Sequence, residues 1–469
     1  MKSLIKKNLL IIIFSPLLVN SISNLFSGEN DFLNYLFGNK IIILAILISS
    51  LFYYQVSRVI NKVLKLHSIS LSLVFFLTSF YIFNLIFLPF LKEISFKSTL
   101  VFVFILWLCF LTYKLEKKVE IIKVIAFYVG SLFFNNRYYI ELSNLSGYRE
   151  LNTDVPLQWY KLANLISTEN FYIAFTNNII EGQTLAISYV QSLLFNLNFY
   201  FFDFSFVRLN SNLIIIFAVF VIYDLNLSKQ EKIIASVTLV SFLLNSDWLT
   251  YLFFDSLMLE GLVGFIFAIF LLNIKVHIFE KFNLNPYLYF FLFSFLFFTK
   301  QFVSTISLVL LIYLLIQFKN SRLLFGLIPY FIHYIYKNVY IPDSKEFELL
   351  RGTSIKELLF DILTFDNLAV GNVNKVVTQL LIDKPFIYIL FIFFAVNILR
   401  LLLKTNTTDS FTLNVSLIAI IINFVLIFLL YIVWWKDFGI ESSYRYALNL
   451  FLLLFYSLLI NINLLKKEI

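Results

Sequence analysis

Charge is scarce in this chain: only 14% of its 469 residues are Asp, Glu, Lys or Arg, against 60% that are hydrophobic. That deficit excludes a soluble globule, whose water-facing surface needs far more charge. Cysteine is nearly missing. The lone Cys109 lies within an apolar run, which rules out a disulfide framework and a thiol metal cluster. His67, His277 and His333 are scattered without ligand spacing, so no zinc site is read. The 11 glycines and 7 prolines form no flexible linker, phosphate-binding loop or nucleotide motif. Strand alternation is lacking too, which excludes a porin-like barrel. No internal repeat is evident, which disfavours a transporter built from two related halves.

What is present is apolar sequence from end to end. Runs sit near 8–25, 40–55, 69–90, 98–113, 120–134, 184–202, 209–223, 234–250, 256–274, 285–300, 302–318, 322–338, 385–403, 411–435 and 444–463. Most are about 15 to 25 residues long, enough to cross roughly 30 Å of hydrocarbon as helix. The expected fold is therefore all-α: a polytopic transmembrane protein of about 14 spans, with two outside loop regions, 135–183 and 339–384, carrying short helices. Residues 1–119 read as N-terminal membrane helices and 120–469 as the functional region. The net charge of +8 has no soluble basic domain to carry it, so it is assigned to cytoplasmic loops and no nucleic-acid partner is expected. The excess of Phe, Ile, Leu, Asn and Lys is that of an AT-rich genome, so the 59 Phe mark no cofactor box.

Met1 to Lys7 followed by Asn8 to Leu25 resembles a signal peptide without a small-residue cleavage site, and reads as an uncleaved first helix. Lys2, Lys6 and Lys7 place the N-terminus inside, and Lys466 and Lys467 the C-terminus. Arg58, Lys62, Lys65, Lys114, Lys117, Lys118, Lys229, Lys232, Lys275, Lys281, Lys319, Arg322, Arg400 and Lys404 mark further inside connections. The 15 runs cannot all cross if both ends lie inside. Either Thr184 to Phe202, which carries Gln191, Asn196 and Asn198, or Ile121 to Phe134, which contains Lys123, does not cross. The first choice puts the 135–183 loop outside and the second puts it in the cytoplasm. On both, Asp255, Lys300, 339–384 and Trp434 to Tyr446 lie outside.

The polar stretch from Asn135 to Ile180 is the main interruption, and Asn152-Thr153-Asp154-Val155-Pro156-Leu157-Gln158-Trp159-Tyr160 stands at its centre. A carboxylate among aromatics at a membrane surface serves as general base or metal ligand, whereas Thr153 or Asp154 ahead of Pro156 also fits a helix cap. Asp255 opens an apolar run and has the same two readings, with Asp247 and Glu260 nearby. Lys300 separates two apolar runs, as a turn lysine or a phosphate ligand. Trp434 and Trp435 suit interfacial anchoring. Arg445 opens an apolar helix on the side where basic charge is disfavoured, and a guanidinium there suits a phosphate or diphosphate head group.

The order of these features resembles the C-fold (GT-C) class of integral-membrane glycosyltransferases, over about residues 120 to 463. The residues that carry it are Asp154 with Trp159 and Tyr160, Asp203 to Ser211 entering a span, Tyr251 to Leu257 around Asp255, Lys300 between two spans, and Arg445-Tyr446 opening a final helix. The resemblance implies transfer of a sugar from a polyprenyl-phosphate donor to a lipid or glycan acceptor, on the outer face of a bacterial-type inner membrane. It implies Asp154 and Asp255 as catalytic residues, and Lys300, Arg445, Tyr446, Trp159 and Tyr160 around the phosphate and substrate. The chain departs from the class in two ways: additional spans precede the similar region, and Asp154-Val155 stands where many relatives carry paired acids. Dependence on a divalent metal is left open by the second departure, and no other cofactor is expected. An O-antigen polymerase or ligase, led by Arg445 and the 339–384 loop, is the second reading, and a lipid-linked oligosaccharide flippase or transporter the third.

Overall fold

The computed structural model describes residues 9–16, 19, 39–115, 118–146, 160–177, 186–199, 207–245, 260–278, 301–319, 321–340, 360, 363–364, 369–381, 384–402, 408–434, 443–448 and 450–468. These residues are overwhelmingly helical, with no strand among them. Among the described residues five helices are long and apolar enough to cross a membrane: Lys40–Leu64 (α1), Ile69–Ile86 (α2), Phe96–Lys114 (α3), Val119–Arg137 (α4) and the segment Leu413–Val433. α3 and α4 turn Phe102, Ile105, Ile122, Val129 and Phe133 outward. In water that surface would aggregate, and in hydrocarbon it is the solvated face.

Local chemistry sets where these helices begin and end. The Ser68 hydroxyl accepts from the Leu71 amide at 3.0 Å and the Ser95 hydroxyl from the Ser98 amide at 3.3 Å, capping α2 and α3. α1 closes on Lys65 in the left-handed region. α1 and α4 lie antiparallel. At one end, Gln55 Nε2 and Arg58 of α1 donate to Glu120 at 3.0 and 3.3 Å. At the other, the Ser49 hydroxyl meets that of Ser131 at 3.1 Å and accepts from Asn135 Nδ2 at 3.3 Å. Lys123 explains its own presence in an apolar run: its ammonium reaches back to Glu120 at 3.9 Å, by the first turn of α4.

The bundle therefore has two distinguishable ends. The turn end holds the short connections 65–68, 115–118 and 225–228. There Asp224, the last residue of Val207–Asp224 (α9), accepts from the Ile69 and Ser70 amides and the Ser68 hydroxyl, each at 2.9 Å, and from the Ser70 hydroxyl. The carboxylate thus covers the orphan donors at the start of α2. The loop end holds Tyr139–Ser146 (α5), Tyr160–Thr168 (α6) and Phe171–Thr176 (α7). The turn between α6 and α7 is tied to this end through Phe96 N donating to Glu169 O at 3.4 Å and Asn170 Nδ2 to Lys92 O at 2.9 Å.

Ala186–Phe199 (α8) covers most of one of the two segments that the sequence leaves open. Near its start, the Tyr189 hydroxyl accepts from Asn84 Nδ2 at 2.7 Å. Near its finish, the Asn198 carbonyl accepts from Asn135 Nδ2 at 2.9 Å, and Asn198 Oδ1 from the Tyr53 hydroxyl at 3.1 Å. Asn84 and Asn135 are each the third residue from the loop end of α2 and α4. Asn84 and Asn135 therefore each sit about one turn from the loop end of their own helices, while Tyr53 meets Asn198 from the middle of α1. The chain leaves α4 at the loop end and re-enters α9 at the same end. α4 has the length and composition of a span, whereas Ala186–Phe199 is not among the described helices that do.

The remaining helices are Lys229–Asn245 (α10), Glu260–Ile278 (α11), Gln301–Phe318 (α12), Ile328–Tyr340 (α13), Asn372–Leu380 (α14), Lys384–Leu402 (α15), Thr408–Leu429 (α16), Ser443–Leu448 (α17) and Phe451–Glu468 (α18). Two differ from the sequence expectation. The run 322–338 is split into a tight 3-10 segment, Ser321–Leu327, and α13, with Pro329 in the first turn of α13 where a missing N–H costs nothing. The run 444–463 is split into α17 and α18. The run 285–300 lies outside the described residues.

At the turn end, Lys466 of α18 pairs with Glu231 of α10. Ser228 and Glu231 form a capping box: the Ser228 amide donates to Glu231 Oε2 at 2.8 Å and the Ser228 hydroxyl accepts from the Glu231 amide at 3.4 Å. Burial opposes ionisation of Glu231, but hydrogen bonds from Lys466 and Ser228 outweigh it and hold the carboxyl below the usual glutamate range. A carboxyl lowered in the folded state contributes stability above the unfolded glutamate range, and that contribution is lost as pH falls through the lowered value. Glu231→Gln should therefore flatten the acid limb of a plot of Tm against pH while leaving its shape above neutrality unchanged. An acid limb as steep as that of the parent protein would show that the pair contributes nothing.

Candidate functional site

Of the residues singled out in the sequence, Asp154, Trp159, Asp255 and Lys300 lie outside the described residues. Tyr160 begins α6 and Arg445 lies in α17, both described by their backbone. Tyr446 is half-buried beside Arg445, its ring edge-on to Tyr431 at 6.5 Å, and its carbonyl accepts from Asn423 Nδ2 at 3.4 Å. Among the described residues no three His, Cys, Asp or Glu side chains gather as metal ligands.

The elements that flank three of these positions finish at one end of the bundle. Asp154 falls in sequence between α5 and α6, both at the loop end. Asp255 falls between α10 and α11. α10 starts at the turn end with Glu231 and its 17 residues rise about 25 Å, so Asn245 reaches the loop end. Arg445 is in α17, immediately before α18, whose Lys466 lies at the turn end and whose first residue Phe451 is therefore at the loop end. α17 packs on α11, α14 and α16, so the helix that follows Asp255 touches the helix that holds Arg445. Lys300 directly precedes α12, which packs on α16.

The loop end also contains a device that sequence reasoning missed. α16 runs on into Leu430–Trp434, which is wound as π-helix. A π turn breaks the i to i−4 ladder and releases carbonyls for outside partners, a distortion that recurs at functional sites. Here the Ile432 carbonyl accepts from the Ala369 amide at 2.9 Å and the Tyr431 carbonyl from Asn372 Nδ2 at 3.3 Å. Asn372 is buried at the first turn of α14, which packs against both the π turn and α17. Residues 369–381 of the 339–384 region are thus bound to the π turn and to the helix that holds Arg445.

Asn372→Ala removes one buried hydrogen bond, worth about 0.5–1.5 kcal/mol. Amide hydrogen exchange over 430–434 should accelerate roughly 3- to 10-fold. Unchanged exchange there would mean that Asn372 does not hold the turn. No local signal announces this contact, because Asn372 and Tyr431 lie 59 positions apart.

Comparison of the chain with protein-family models, curated proteins and solved structures finds no match. What the loop end can do chemically therefore rests on its own residue types. Of the four charged residues singled out, Arg445 alone is described, on the short helix α17 against α11, α14 and α16.

Proposed function

We propose that the chain is an integral-membrane glycosyltransferase that moves a sugar from a polyprenyl-phosphate carrier to an acceptor hydroxyl at the loop end, which faces away from the cytoplasm. The observation that carries this reading is the common end at which the elements flanking Asp154, Asp255 and Arg445 finish. The orientation is supported by Arg58, Lys62, Lys65, Lys114, Lys118, Lys229 and Lys232, which lie in or beside the short connections of the opposite end.

In this mechanism Asp154 takes the proton of the acceptor hydroxyl as its oxygen attacks the anomeric carbon. The bond from that carbon to the phosphate oxygen breaks, and the polyprenyl phosphate departs with the electron pair. Lys300 and Arg445 hold the phosphate and offset its growing charge, while Trp159, Tyr160 and Tyr446 shape the approach. Asp255 orients the acceptor, or shares a divalent cation that would neutralise the phosphate. A site at the membrane edge admits the lipid tail and limits hydrolysis by bulk water.

The packing of α14 on α17 favours a second reading, an O-antigen polymerase or ligase in which Arg445 and the 339–384 region grip a lipid diphosphate. Retention of polyprenyl phosphate and polyprenyl diphosphate, read by native mass spectrometry, tests both. Retention of the monophosphate, weakened roughly 10-fold or more by Lys300→Met and by Arg445→Met, is the expected result, in line with loss of a charge-assisted contact. Preference for the diphosphate transfers the assignment to the second reading. Binding of neither lipid, or binding indifferent to both substitutions, overturns the proposal.

A further inference from the structure

α8 is enclosed by protein along its whole described length, yet it is polar. Ser188, Gln191, Ser192, Asn196 and Asn198 are all buried within it. Ser188, Ser192 and Asn196 recur every four residues and so share one face. That face looks toward α6, because Asn196 Nδ2 donates to the Ser167 hydroxyl at 2.8 Å.

Five side-chain atoms on or against α8 are buried without a hydrogen-bond partner among the described residues: Ser188 Oγ, Ser192 Oγ, and the Oδ1 atoms of Asn84, Asn135 and Asn196. Asn84 and Asn135 are the two residues that hold α8 at its opposite ends. The three amide oxygens cannot be satisfied by exchanging oxygen for nitrogen. Each amide nitrogen already donates to a backbone carbonyl: Asn84 to Phe80 O at 2.9 Å, Asn135 to Asn198 O at 2.9 Å and Asn196 to Ser192 O at 2.8 Å. A carbonyl only accepts, so turning any of these amides would set oxygen against oxygen. The unmet need is for donors, three times over, along one 14-residue helix.

We propose that α8 lies in a hydrated layer, in which ordered water donates to Asn84, Asn135 and Asn196 and bonds the Ser188 and Ser192 hydroxyls. Water fits the chemistry of these atoms: the unmet groups are neutral, so no ion is called for, and all five atoms are closed to bulk solvent. Buried polar groups that the protein leaves unpaired are where internal water resides. The position explains the supply, since both anchors of α8 lie about one turn below the loop end, within reach of the aqueous face. Water at this depth makes α8 the polar floor of the loop end.

X-ray radiolytic footprinting of the intact protein tests this, because radicals formed from bound water mark the side chains beside it even when these are closed to bulk solvent. Tyr189 and Phe171, whose rings lie 5.4 Å apart, are reporters beside α8. Phe14 and Phe242, equally buried and packed edge to face on each other at 6.4 Å, are dry references. Oxidation of Tyr189 and Phe171 several-fold above the references, persisting with a scavenger of bulk radicals, is the expected result. Modification no greater than at Phe14 and Phe242, or modification erased by the scavenger, overturns the proposal.

Discussion

Asp224→Ala should lower the stability of the folded protein by about 2–3 kcal/mol, since hydrogen bonds to a charged group contribute about 1.5–3 kcal/mol and removing the acceptor strands its donors. The carboxylate receives two backbone amides and two hydroxyls from Ser68, Ile69 and Ser70. Without it, the first turn of α2 loses its partner, and α2 loses its tie to the end of α9. The loss stays at a few kcal/mol because the site is only partly buried and water reaches the freed amides. Asp224→Asn retains an acceptor oxygen without the charge and should fall between the two. The shift in unfolding midpoint of the detergent-solubilised protein measures both. An alanine variant as stable as the parent would show that the turn end does not depend on this carboxylate.

The larger effect on activity belongs to Asp154→Asn. If Asp154 is the general base, transfer of labelled sugar from a polyprenyl-phosphate donor should fall by about 100- to 10,000-fold, the range a positioned base contributes. Retention of the lipid phosphate should persist, because that task falls to Lys300 and Arg445. The split between lost transfer and kept binding separates a base from a helix cap, whose loss would instead lower stability by about 1 kcal/mol and leave turnover near that of the parent. The second pattern would remove Asp154 from the mechanism without disturbing the binding test.

Some of the architecture is open to local reading. Ser68 and Ser95 stand ahead of apolar runs and cap them, and Ser228 with Glu231 is a capping box legible from spacing alone. Gln191, Asn196 and Asn198 mark 184–202 as unusual, yet Lys123 marks 120–134 as unusual too, and hydropathy ranks neither first. Lys123 proves harmless because Glu120, three residues earlier, holds its ammonium at the turn end. Of the polar residues of α8, Asn198 is received by Asn135 and Tyr53, and Asn196 reaches Ser167, partners that no local pattern announces.

By itself the sequence determined that the chain is helical, apolar over several membrane-length stretches and poor in metal-binding side chains. Each of these follows from interactions within a turn or two of helix, or from transfer of apolar surface out of water, and both are local properties. Only the tertiary structure decided how α8 is anchored between α2 and α4, that α16 runs on into a π turn held by Asn372, and that the elements around Asp154, Asp255 and Arg445 finish together. Those outcomes depend on partners as far apart as Ser68 and Asp224, 156 positions in sequence. A hydrogen bond between distant segments leaves no periodic trace in either segment, so it becomes visible only when the helices are packed.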